Sequence, residues 1–286
     1  MRLKLSGPDY RDKDPVKSLL DFKKRVELYS KKYQPLGPTE EDLGIPYVQM
    51  IDVGRKFVMH SVKGFLSNQT AQYLQNFHLK PRQIWLTRHG QSYDDLAGRI
   101  GGDAELTMQG KKYAKALSAL IEQQRQRFLA EQAGAPHSSD RQDFQVWTSN
   151  MLRSVQTAQY FDQPPYRVKR LKMLDELNAG ILNGLTREEI EEFYSDWLKV
   201  RREDKFRYRY PGAEGEGYLD VTSRLKSVIL EVERVTDHVL LISGLAVTRV
   251  LLSYFRGLKR HEIADFPVPI GTLYMLEPVS PTLSIG

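Results

Sequence analysis

The 286-residue sequence contains no cysteine, which excludes disulfides, thiolate nucleophiles and cysteine-ligated zinc and fits a reducing compartment. It has no apolar run near the roughly 18 residues of a membrane span. Its start, Met1-Arg2-Leu3-Lys4-Leu5, lacks the apolar core of a secretory signal. A cytoplasmic protein without a membrane partner is the expectation. A Gly-x-x-x-x-Gly-Lys-Ser/Thr loop is absent, so no phosphate cradle for ATP can be argued. With 14 prolines, 41% hydrophobic and 27% charged residues, the composition excludes a disordered chain. Neither an internal repeat nor a low-complexity segment is present.

What is present in excess is positive charge. The net charge of +6 creates a field that attracts anions, whether nucleic acid, anionic lipid or a small phosphorylated metabolite. Only Lys199 to Arg209 forms a dense basic cluster with interleaved aromatics. On its own it reads equally as a solvated helix end followed by a loop.

Periodicity organises the chain into two blocks. In the first, Leu19, Phe22, Val26 and Tyr29 recur at helical spacing, a loop runs from Pro35 to Pro46, and a strand (47–54) and a helix (62–77) follow. From Ile84 onward strands and helices alternate. Strands are expected at 84–87, 144–149, 238–243 and 271–276. Helices are expected at 107–129, 151–161, 186–199, 217–235 and 245–256, with a loop at 133–141 and a proline-rich tail from Pro278. This order predicts an α/β fold whose central, mostly parallel sheet is covered on both faces, preceded by a remnant of a second α/β domain. The corresponding domain bounds are 1–80, 81–280 and a tail at 281–286.

Three segments carry candidate chemistry. Ile84-Trp85-Leu86-Thr87-Arg88-His89-Gly90 is a buried strand that ends on a basic residue, a histidine and a glycine. Ligands bind at such strand ends in open α/β sheets, and Gly90 permits a sharp exit there. A second apolar strand, Phe144 to Ser149, delivers Arg153 just past its end. Met173-Leu174-Asp175-Glu176-Leu177 places a carboxylate in an apolar setting. Taken singly, Arg153 reads as well as a helix-surface residue and Glu176 as a capping or surface acid.

Taken together with Arg99-Ile100-Gly101-Gly102-Asp103 and Arg207-Tyr208-Arg209-Tyr210-Pro211, these segments resemble the histidine phosphatase superfamily. Among its members they are most similar to the bisphosphatase half of 6-phosphofructo-2-kinase/fructose-2,6-bisphosphatase. Leu3 to His78, including Ser6-Gly7-Pro8-Asp9-Tyr10 and Ile51-Asp52-Val53-Gly54, resembles the last part of that family's kinase half. The resemblance implies a three-layer, phosphoglycerate mutase-like sandwich and a sugar bisphosphate as the small-molecule partner. It implies no cofactor and no metal, and as protein partner a homodimer mate or a kinase domain in a longer relative.

It also implies roles. His89 would take the 2-phosphoryl group as a phosphohistidine, splitting one displacement into two. Arg88 and Arg153 would hold the phosphoryl oxygens through paired hydrogen bonds. Glu176 would protonate the leaving sugar oxygen and then activate water. Gly101 would line the phosphate site. Arg201, Lys205, Tyr218 and Arg249 would receive the 6-phosphate, which turns the basic cluster from a nucleic-acid hint into a metabolite clamp.

Several positions depart from the family pattern. Its second active-site histidine is Gly244, the glutamine expected next is Leu245, the asparagine expected at phosphate is Asp95, and a tyrosine expected at the sugar pocket is Arg187. A further histidine of the late strand aligns with Gly271. The chain therefore reads as a slow fructose-2,6-bisphosphatase. The alternatives are a degenerate phosphatase domain that binds fructose phosphates and regulates a kinase half, a broader phosphomonoesterase or mutase, or a basic nucleic-acid binder.

Overall fold

A computed structural model describes residues 14–52, 56–76, 82–132 and 144–277. They fall into two compact units, one within the first 77 residues and one from 78 to 278, and each is described by itself.

In the first unit a helix, α1 (Pro15–Lys32), is capped by Asp14, whose carboxylate accepts the Lys17 N–H at 2.9 Å. A short helix, α2 (Pro38–Asp42), leads into an antiparallel hairpin of β1 (Tyr47–Ile51) and β2 (Lys56–His60), followed by α3 (Phe65–Asn76). The sequence reading expected one strand and missed β2, whose residues show no clean alternation. The expected strand ends at Ile51. Its last positions, 53 and 54, lie outside the described residues, as do the loop at 133–141 and the tail from Pro278.

The second unit is built on a five-stranded sheet in the order β5-β4-β6-β3-β7, where β3 is Ile84–Arg88, β4 Phe144–Thr148, β5 Tyr166–Arg170, β6 His238–Ser243 and β7 Leu273–Leu276. The first four strands in that order run parallel, and β7 joins β3 antiparallel at the edge. Strands β3, β4 and β6 are apolar and almost wholly buried, as expected of strands covered on both faces.

Alternate side chains enter two cores. Ile84, Leu86, Trp147, Val239 and Leu241 pack beneath α9 (Tyr218–Arg234) and α10 (Leu245–Arg256). Trp85, Phe144, Val146, Leu240 and Ile242 pack on the opposite face, against Leu117 and Ile121 of α5 (Met108–Gln132). Burial of Tyr218, Val221, Leu225, Val228 and Val232 at helical spacing fixes which face of α9 meets the sheet. The result is the three-layer, mostly parallel architecture the sequence predicts.

The differences are local. β5 was missed because its Arg and Lys side chains are mostly exposed, which suits an edge strand and hides it from hydrophobic pattern. The helix expected at 186–199 is two, α7 (Arg187–Phe193) and α8 (Ser195–Glu203), divided at Tyr194, whose non-helical backbone lets its ring stack on Trp197 at 4.9 Å. The helix expected at 151–161 is the shorter α6 (Leu152–Thr157). Gly271 sits in the turn before β7 and not in the strand. No helix among the described residues is long and apolar enough to cross a membrane.

His238, 1% exposed, begins β6 with its Nδ1 accepting the Gln83 N–H at 3.1 Å and its ring stacked on Phe144. Burial pushes its pKa down to about 4. The unfolded chain therefore binds a proton below about pH 6.5 that the folded chain refuses until about pH 4. Folding stability should fall by about 3 kcal/mol across that window from this residue. Urea unfolding at pH 7 and pH 4.5 should show a smaller acid loss in His238→Asn than in the native chain, and equal losses would contradict it.

Candidate active site

The parallel strands all bring their C-terminal ends to one side of the sheet, and the candidate residues lie there. The ladder continues one residue past β3, since the His89 N–H donates to the Ser243 carbonyl at 3.0 Å. Next, the Gly90 N–H donates to Thr157 Oγ1 at 2.9 Å. Gly90 is demanded by close approach and not by a turn: an added Cβ would lie 2.7 Å from the Gly110 carbonyl oxygen.

His89 is 3% exposed. Its Nε2 accepts the Nε–H of Arg153 at 2.9 Å, and its Nδ1 faces the Gly90 carbonyl oxygen at 2.9 Å. A guanidinium only donates and a carbonyl only accepts, so the ring is the neutral tautomer with the proton on Nδ1 and a lone pair on Nε2. Burial first, and Arg153 second, push its pKa down to about 4. At neutral pH the imidazole is held ready as a base or nucleophile.

Arg153 stands on the first turn of α6, 3% exposed, with Nη1 donating to the Gly102 carbonyl at 2.7 Å and lying 3.5 Å from that of Gly101. Arg88 donates Nη1 to Val268 at 3.1 Å and sets Nη2 3.5 Å from Asp95. Burial lowers the Arg88 pKa, and Asp95 and Glu176 offset part of that. Its buried Nε–H has no acceptor among the described residues.

Asp95 belongs to the single-turn helix α4 (Tyr93–Leu96), where its Oδ2 accepts from the Ser92 N–H at 2.8 Å and the Ser92 hydroxyl at 2.6 Å. The same oxygen lies 3.8 Å from His89 Nδ1. Burial would raise its pKa, yet His89, the Ser92 hydrogen bonds and Arg88 together hold it below the ordinary carboxylate value.

Glu176 faces the site from the opposite wall. Its Oε1 accepts the Leu177 N–H at 2.7 Å, and both oxygens accept the Ala246 N–H, at 3.1 and 3.2 Å. The carboxylate thus rests on the N-terminus of α10, where anions are favoured. Gly244 makes room for it: an added Cβ would lie 2.2 Å from Glu176 Oε2. The capping role that the sequence left open for Glu176 is therefore real, whatever else the residue does.

Arg88, His89, Asp95, Gly101, Arg153, Glu176, Arg201, Tyr218, Leu245 and Arg249 line one cleft of about 290 Å³. At its far end Arg249 donates to the Tyr218 hydroxyl at 2.9 Å and to the Phe266 carbonyl at 2.7 Å. The Arg201 guanidinium lies 5.7 Å from the centre of the Tyr210 ring.

Two predicted residues stand outside this cleft. The Lys205 ammonium is drawn to Asp265, and Arg187, on the exposed first turn of α7, pairs with Glu191 at 3.1 Å. Both line a neighbouring cleft with Arg201 and Arg202. A third cleft, of about 590 Å³, shares Gly101, Arg153, Glu176 and Leu177 with the first and adds Asp175, Glu216 and Arg224.

Ser92, Arg99 and Tyr210 line the site but were not singled out from sequence. Ser92-Tyr93-Asp94-Asp95 is a capping-box pattern that could have flagged the first. Arg99 and Tyr210 lie inside runs that carry the family resemblance, Arg99 to Asp103 and Arg207 to Pro211, without either residue standing out within its run.

If burial and Arg153 both hold the His89 ring neutral, Arg153→Gln should raise its titration midpoint from about 4 while leaving it below the ordinary value, because burial persists. Histidine ring chemical shifts followed against pH check this. A midpoint no higher than in the native chain would refute it.

Comparison with known proteins adds family context. The family model described as "Histidine phosphatase superfamily (branch 1)" matches residues 84–282, and that described as "6-phosphofructo-2-kinase" matches residues 1–81. The chain is 47% identical to the Saccharomyces cerevisiae protein named 6-phosphofructo-2-kinase 1, over 97% of this chain and 34% of that protein. It is 38% identical to a human protein named 6-phosphofructo-2-kinase/fructose-2,6-bisphosphatase 3, over 98% of this chain and 50% of that protein. The chain thus spans half or less of the length of these relatives. The crystal structure of an α-ribazole phosphatase from Shigella flexneri shares the fold, with a TM-score of 0.54, 19% identity and coverage of 68% of this chain and 89% of that one.

Proposed function

The chain belongs to the histidine phosphatase superfamily, and from that premise we propose that it acts as a slow fructose-2,6-bisphosphatase through a phosphohistidine on His89. The observation that carries this reading is the neutral His89 ring in a cleft that Arg88, Arg153 and Arg249 also line, with Nε2 accepting from Arg153, a bond that a phosphoryl group entering the cleft must displace. The human relative's printed name supports the substrate class. In the first step an Nε2–P bond forms, the bond from phosphorus to the sugar oxygen breaks, and Glu176 gives that oxygen its proton. In the second, water attacks phosphorus, its proton goes to Glu176, and the Nε2–P electron pair returns to the ring. Arg88 and Arg153 hold the three equatorial oxygens through both steps. Arg201, Tyr218 and Arg249 receive the 6-phosphate, with Lys205 and Arg187 contributing only if they leave Asp265 and Glu191.

The rate is the weak point. A charged donor lost at Gly244 costs about 1.5 to 3 kcal/mol, or roughly ten- to a few hundred-fold. An ionised Asp95, which lies 3.8 Å from Nδ1 on the other side of the ring, repels a phosphate charge at Nε2 by about 2 kcal/mol at roughly 7 Å and an effective dielectric of 20.

A second reading follows from Glu176, whose carboxylate oxygens are already taken up by Leu177 and Ala246, and from the kinase-only name of the yeast relative. In that reading the domain binds fructose phosphates without turnover and regulates a kinase half. In both readings residues 1–80 are the closing part of a kinase domain, 81–280 the phosphatase domain and 281–286 a tail, as the two family matches support.

Substrate labelled at the 2-phosphate separates the two readings. Label on the native chain that His89→Ala abolishes supports the phosphatase, whereas calorimetric binding of fructose 6-phosphate with neither label nor phosphate release supports the regulatory domain. In Gly244→His, turnover should rise about tenfold or more, provided that Glu176 vacates the N-terminus of α10. An unchanged rate with the histidine in place would remove Gly244 from the account of slowness.

A further inference from the structure

We infer that Asp95 is the counter-charge of the phosphorylated His89 ring and makes breakdown of the phosphohistidine the slow step. This rests on the reading of His89 as phosphoryl acceptor. Among the described residues Asp95 is the one carboxylate within 4 Å of a His89 ring nitrogen, at 3.8 Å from Nδ1. It stands on the Nδ1 side, opposite the Nε2 lone pair that Arg153 holds. Two hydrogen bonds from Ser92 fix its Oδ2, so the charge cannot swing away when the ring reacts.

Charge accounting gives the consequence. In the substrate complex the ring is neutral beside a phosphate dianion. In the intermediate the ring carries a proton on Nδ1 and phosphorus on Nε2, so it is a cation beside a phosphoryl dianion. The proton that Glu176 gave to the sugar oxygen leaves the balancing negative charge on Glu176, on the far wall of the cleft. The neighbourhood of Asp95 thus loses one negative charge when the Nε2–P bond forms. It regains that charge when water attacks phosphorus and the Nε2–P pair returns to the ring. A fixed anion at Asp95 therefore stabilises the intermediate relative to both flanking complexes. It weakens substrate binding, favours formation of the phosphohistidine once substrate is bound, and opposes its hydrolysis.

Two further features, themselves linked, push in the same direction. Gly244 offers no donor to the phosphoryl group, and the Glu176 carboxylate that should activate water is hydrogen-bonded to Leu177 and Ala246. Both slow the second displacement, since one donor is missing and Glu176 must give up those hydrogen bonds to take the proton of water.

Asp95 acts through His89, so it is a positioning residue. Its test must split the two steps. Rapid quench with substrate labelled at the 2-phosphate should give a burst of labelled native enzyme approaching one phosphoryl group per site, followed by slow turnover. Asp95→Asn keeps an oxygen to accept from Ser92 and removes the charge. In that variant the burst should form more slowly, and the isolated phosphoenzyme should break down about tenfold faster. A merely structural role would slow labelling and breakdown together. Asp95→Ser, which also removes the charge, should shift breakdown in the same direction if the asparagine variant folds poorly. Breakdown no faster than native in the folded variants overturns the inference. So does native turnover without a burst, which leaves the phosphatase reading intact. Absence of both label and turnover in the native chain overturns the phosphatase reading itself, and the role of Asp95 with it.

Discussion

The hydrogen bond from Arg153 to His89 is the interaction on which the site depends. A guanidinium can only donate, so its position against Nε2 selects one tautomer and one charge state of the imidazole. That position is itself a product of the sheet. Arg153 is carried one turn past β4, and His89 one residue past β3, with β6 between the two strands and bonded to both. Any change that shifts β3 relative to β4 alters the distance that fixes the ring's chemistry. The Gly90–Gly110 contact and the Thr157 hydroxyl act on the same few atoms from the helical side.

The sheet was legible in the sequence because β3, β4 and β6 are buried on both faces and read as uninterrupted apolar runs. β5 was not, because an edge strand keeps Arg and Lys on its surface and burial leaves no pattern to detect. The break at Tyr194 was hidden for a different reason: the residues on both sides favour helix, and the interruption depends on a ring stacking that involves Trp197. Site residues were legible only in combination. His89, Arg153, Glu176 and Arg249 lie on four separated segments, and no local pattern distinguishes any of them from a surface residue. What sequence could not supply was the state of each side chain once assembled. Lys205 matched a family position, but its ammonium is drawn to Asp265 outside the main cleft.

Gly244 and Glu176 illustrate a coupling that residue-by-residue matching overlooks. Each position, read alone, is either kept or lost relative to the family. In the structure they are one arrangement, because the missing side chain is what allows the carboxylate to settle on the N-terminus of α10. The proposed acid and the group on the helix terminus are the same carboxylate, so under that proposal its two duties compete. Electrostatics in the rest of the cleft is similarly shared. Arg88 and Asp95 partly neutralise each other beside the His89 ring, and the cationic character of the cleft rests on Arg99, Arg153, Arg201 and Arg249.

The first and third clefts share Gly101, Arg153, Glu176 and Leu177, so the candidate site is not the floor of a blind pocket but opens on two sides. For the proposed reaction the consequence is one of access: a sugar filling one opening leaves the Glu176 carboxylate within reach of solvent from the other.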